Sequence, residues 1–175
     1  MSGRDGAAPF SVPAPNNKMK RTAIIITILI FMSGWGTSSA MASASSPPPK
    51  PSDKDKCPVC GMFVYKYPDW VCATVLSTGK TLYFDGAKDL FRFLKGSSGD
   101  TPGVEASWVT EYYGLKMIDA TKAFYVIGSD VYGPMGHELI AFATREEAEE
   151  FMADHKGRKI LLFHDIDAEV LKGLK

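Results

Sequence analysis

The side chains best suited to chemistry fall in two short turns. The first is Cys57-Pro58-Val59-Cys60-Gly61-Met62. Two thiols three positions apart can face one point when the backbone bends tightly, and Gly61 permits such a bend. Met62 adds a thioether. Thiolate and thioether are soft donors, which favour monovalent copper over hard or borderline ions. The same spacing serves two other chemistries: a small structural disulfide in an exported chain, or a thioredoxin-like redox pair between a strand and a helix. No strand is predicted ahead of Cys57, which weighs against the redox pair. All three readings stay open at this point, with metal first.

The second turn is Tyr132-Gly133-Pro134-Met135-Gly136-His137-Glu138. Two glycines and a proline mark a turn that displays Met135 and His137. A methionine there has no helical face to pack on, and thioether with neutral imidazole suits copper. Other candidates fit ordinary roles. Cys72 lies in an apolar strand pattern and is expected to be a small buried hydrophobe. Met117 and Met152 occupy core-pattern positions, and His155 and His164 stand at element ends. Asp85 reads as a helix N-cap, and Glu146, Glu147, Glu149 and Glu150 as a solvated helix face. The chain has no G-x-S-x-G, H-E-x-x-H, P-loop or dinucleotide fingerprint, so a hydrolase or nucleotide enzyme is not expected.

The elements that must position these turns follow from periodicity. Residues 71–77 (VCATVLS) and 81–84 (TLYF) read as a hairpin, residues 87–95 as a helix ended by Gly96, and residues 107–113 as a strand. The scheme then repeats. Residues 123–127 and 138–143 are strands, and Thr144 with Glu147 forms a capping box for a helix to about His155. Residues 158–164 close the unit. Aligning Phe84 with Phe142 puts Leu82 on Ile140 and Phe93 on Phe151. The expected fold class is α+β, as two similar ββαβ lobes of about 57–114 and 115–175 packed around a shared core. In the first lobe, the turn at residues 77–80 has no ligand-type side chain, so the Met-x-His turn is specific to the second.

Composition divides the chain into two parts. The 175 residues balance 20 basic against 20 acidic side chains. Lys18, Lys20 and Arg21 precede an apolar run at residues 23–32, and small-x-small sites follow at 40–42 and 42–44. That pattern predicts a secretory signal over residues 1–44, with Met19 as a candidate start codon. The apolar run is shorter than the roughly 20 residues a spanning helix needs, so membrane attachment is expected only if the signal stays uncleaved. The remaining 131 residues carry net −3, which argues against a nucleic-acid partner. Residues 45–56, with four prolines, read as a disordered tether.

CPVCGMFV at 57–64, YPDW at 67–70, YFDGAKDLFRFL at 83–94 and SDVYGPMGHELIAF at 129–142 together resemble the NosL family. The resemblance runs from Cys57 through nearly all of the chain. It implies a non-enzymatic periplasmic metallochaperone for Cu(I) with two ββαβ lobes arranged as in organomercurial lyases. It also implies delivery of copper to apo nitrous oxide reductase or its ABC-type maturation complex. By motif position, the implied metal ligands are Cys60, Met62, Met135 and His137, with Cys57 a further one. Family members are commonly lipoproteins with a cysteine at the cleavage site, whereas residues 40–46 contain none. The chain is therefore expected to be soluble in the periplasm, or held by an uncleaved signal; a monomer is expected as well. The first lobe alone is also similar to YHS-type metal-binding modules, which would leave the Met-x-His turn unexplained. A thiol enzyme using Cys57 and Cys60, for disulfide exchange or carbon–mercury cleavage, is the alternative from a different class.

Overall fold

The computed structural model describes residues 46–96 and 103–174. The expected signal, the Met19 start and most of the loop after Gly96 lie outside the described residues. β-branched and aromatic residues form β1 (Cys72–Leu76) and β2 (Thr81–Phe84), an antiparallel hairpin with Cys72 opposite Phe84. α1 (Ala87–Leu94) follows, and β3 (Val104–Thr110) returns along the free side of β1, placing Val109 opposite Cys72. The chain adds β4 (Met117–Asp119) to β3, β5 (Phe124–Ile127), a small hairpin of β6 (Tyr132–Gly133) and β7 (Gly136–His137), and β8 (Ile140–Phe142). It ends with α2 (Arg145–Asp154), β9 (Lys159–Leu162) and the short α3 (Ala168–Gly173).

Two main sheets result, of order β2-β1-β3-β4 and β8-β5-β9. In each, the first strand is central and the helix lies in the chain between the two strands that flank it. The register matches as well: Phe84 opposes the first residue of β1, and Phe142 the first residue of β5. The division expected at 114/115 falls elsewhere, because β4 hydrogen-bonds to β3 and extends the first sheet. The strand expected at 107–113 starts and stops three residues earlier. Glu111 turns the chain by accepting from the backbone N–H groups of Tyr113 and Gly114, and Tyr112 N–H donates to the Ala141 carbonyl of β8.

Alternation along β5 gives the second sheet two buried faces. Tyr125, Ala141 and Leu161 face the larger core, which they share with Phe84, Leu90, Phe91 and Val109. Val126, Ile140 and Phe142 face α2 through Ala148 and Phe151. Phe91 of α1 meets Tyr125 edge-on at 5.1 Å, so the first helix lies in core common to both sheets. The capping box of α2 forms as its sequence indicates, through Glu147 N–H to Thr144 Oγ1 and Thr144 N–H to the Glu147 carboxylate. The stretch expected as a tether is partly fastened to the domain. Tyr83 Oη donates to the Pro49 carbonyl at 2.8 Å, and Val64 N–H to the Asp55 carbonyl at 3.0 Å.

Candidate metal centre

The Cys57–Met62 loop closes on itself. Cys57 N–H donates to the Met62 carbonyl at 2.9 Å and Gly61 N–H to the Cys57 carbonyl at 2.8 Å. Gly61 sits at φ +79°, a backbone state that a side chain disfavours. The closure turns both thiols toward the start of α1. Cys57 Sγ donates to the Asp89 carboxylate at 3.4 Å and Cys60 Sγ to Asp85 Oδ1 at 3.2 Å. One ligand atom from each of Cys57, Cys60, Asp85 and Asp89 lies within 4.8 Å of all the others. Both carboxylates are 1% exposed. Asp89 is balanced by Arg92 at 3.0 Å, while Asp85 Oδ2 has no hydrogen-bond partner among the described residues. Burial pushes the Cys57 thiol up to about 11. Burial, with the carboxylates of Asp89 and Asp85 adding to it, pushes Cys60 higher still.

Asp85 therefore does not cap α1, as its sequence position suggested. The N-cap residue is Gly86, which has no side chain to offer. The capping oxygen comes from the second turn, where Glu138 Oε1 accepts from Lys88 N–H at 2.5 Å and from Leu139 N–H at 3.0 Å. Lys88 is 2% exposed. Its ammonium donates to the carbonyls of Met135 at 2.7 Å, His137 at 2.6 Å and Leu174 at 3.3 Å. The β6–β7 hairpin thus rests on the same first turn of α1 that faces the thiols.

The five sequence-derived ligands divide accordingly. Cys57 and Cys60 come together. Met62 is half-buried and joined to them through its carbonyl. Met135 is 41% exposed at the hairpin tip, and the His137 ring packs tilted against Tyr132 at 4.9 Å. His137 is outside the cysteine–aspartate group. The remaining candidates behave as expected: Cys72 is buried with Sγ on the Trp70 carbonyl, and His155 stacks on Phe151 at 4.4 Å. Four site residues escaped sequence reasoning: Asp85 in this role, Asp89, Lys88 and Glu138. A usable signal existed for three of them. Asp85 and Asp89 are four apart at a helix start, and so project to one side. Lys88 is a cation set among Ala87, Leu90 and Phe91 of the apolar stripe.

Comparison with known proteins supplies independent evidence. The NosL family model matches residues 48–171. A copper-binding lipoprotein NosL of Stutzerimonas stutzeri is 29% identical over 127 residues, covering 67% of this chain and 65% of that protein. One from Achromobacter cycloclastes is 36% identical over 77 residues, covering 43% of this chain and 35% of its own length. The chain therefore matches less than two thirds of these relatives. The crystal structure of the copper chaperone NosL from Shewanella denitrificans superposes with a TM-score of 0.61 at 25% identity, covering 70% of this chain and 99% of that one.

Proposed function

Because the chain belongs to the NosL family, we propose that it is a carrier of monovalent copper, exported to the periplasm, which passes its ion to a copper enzyme. The observation that carries this reading is the convergence of Cys57 and Cys60 on one point at the buried end of α1. Its relatives, by name a copper chaperone and copper-binding lipoproteins, support it. Thiolate sulfur, with thioether from Met62 and Met135 and imidazole from His137, is the donor set that selects Cu(I). The exposed Met135 leaves part of that set within reach of an acceptor, so the ion can leave by ligand exchange. The acceptor in this reading is apo nitrous oxide reductase or its ABC-type maturation complex.

The thiol-enzyme alternative is weakened by the same geometry. A catalytic cysteine needs its thiolate favoured by positive charge or a helix N-terminus. Here burial and two carboxylates favour the protonated thiol instead. A carrier tolerates that, because a metal ion displaces the proton.

Titration of the reduced protein with Cu(I) against a competing chelator tests the reading. The wild type should compete well, while Cys57→Ser/Cys60→Ser and Met135→Ala/His137→Ala should each compete less well. Wild-type affinity no better than that of the Met135→Ala/His137→Ala variant would sink it. Transfer of bound copper to apo nitrous oxide reductase, followed by the reductase's own absorption, tests the delivery step separately.

A further inference from the structure

Lys88 and Glu138 are both almost fully buried, at 2% and 3% exposure, and neither carries a candidate metal-binding atom in the copper reading. A buried cation and a buried carboxylate each carry a large desolvation cost, so they persist only where several partners compensate. The partners are specific. The three protons of the Lys88 ammonium can be matched by three carbonyls, two of which flank Gly136 in the Met135-Gly136-His137 segment. Glu138 binds the Lys88 backbone from the residue next to His137.

Two glycines make room for this arrangement. A side chain at Gly86 would collide with the Glu138 carboxylate, and one at Gly133 would come within 2.9 Å of Glu138 Cγ. The same short helical segment binds the other motif through Asp85 and Asp89.

We propose that Lys88 and Glu138 are positioning residues of the metal centre: they lock the Met135–His137 turn onto the helix end that holds the two thiols, so that both motifs act on one ion. The proposal rests on the copper reading above and assigns the means by which two motifs some seventy residues apart become one site. Partners that orient ligands without touching the metal commonly contribute about 10- to 100-fold to its affinity.

The experiment is competitive Cu(I) titration of the reduced full chain, with folding of each variant checked by near-UV circular dichroism. Wild-type binding is measured first, and its absence would overturn the copper reading itself. Given wild-type binding, Lys88→Met and Glu138→Ala should lower affinity about 10- to 100-fold, and X-ray absorption should show the imidazole nitrogen lost from the copper shell. Glu138→Gln keeps a carbonyl oxygen for both N–H donors and should stay close to wild type. In a Met135→Ala/His137→Ala background, Lys88→Met should cost little more, because the ligands it positions are gone.

Folded Lys88→Met and Glu138→Ala proteins that bind copper as tightly as wild type would overturn the positioning role. So would an undiminished Lys88→Met loss in the background lacking Met135 and His137. Should Lys88→Met fail to fold, the contrast between Glu138→Ala and Glu138→Gln decides the matter.

Discussion

A thiol that keeps its proton must surrender it before sulfur can hold a metal, and here both thiols keep theirs near neutrality. Loading two thiolates therefore releases two protons. The apparent Cu(I) association constant should rise about a hundredfold per pH unit between pH 6 and 8. Cys60→Ser should reduce that to about tenfold, as read by competition titration across the range. Glu138 has the opposite linkage, acting on stability. Burial raises its carboxyl from 4.5 to about 7, so the folded state holds the proton more firmly than the unfolded chain does. That contribution is complete below pH 4.5 and is lost as pH rises through 7. It amounts to on the order of 3 kcal/mol for the metal-free protein. Chemical denaturation from pH 4 to 8 should show this decline, and Glu138→Gln should flatten it. That the two thiols face one point was legible in the sequence, because Gly61 marks a tight turn beside them. Glu138 was not, because a polar residue beside a strand looks solvated until its partners are known.

At the scale of elements, the two helices illustrate capping by local and by distant chain. α2 is capped by its own Thr144, three residues from Glu147, and that signature is visible in four consecutive letters. Thr144→Ala should cost about 1 kcal/mol of stability and leave copper affinity unchanged, measured by thermal melts alongside titration. α1 borrows its capping oxygen from Glu138, fifty residues away, and no local pattern announces that. Strand lengths show the same limit. β1, β2, β5 and β9 lie within or on the expected segments because alternation over four or five residues is readable. β4, β6 and β7 have two or three residues each, too few for a period, and are set by pairing with neighbours. The last residues assigned to β3 were lost for a comparable reason, since the Glu111 side chain competes for the backbone donors that would have continued it.

Across the whole molecule, the two similar sheets share one core, which makes the first helix a load common to both halves. Phe91→Ala removes the ring that touches Tyr125 and Phe163, both at 5.1 Å. It should cost about 3 to 5 kcal/mol, with both halves unfolding in one transition by calorimetry. The mixed helix and sheet class was readable from pattern; the extension of the first sheet past residue 114 was not, because β4 is held by register with β3 rather than by its own composition. The Lys88 ammonium adds a constraint in time. Its three acceptors lie 47, 49 and 86 positions further along the chain, and closing such separations is slow compared with forming a hairpin. Cysteines 57 and 60 are synthesised well before residue 174, so the chain passes through an interval with thiols present and no finished site around them. On the copper reading, an ion met in that interval would find the dithiol before the Met135–His137 turn and the Leu174 carbonyl have docked on Lys88.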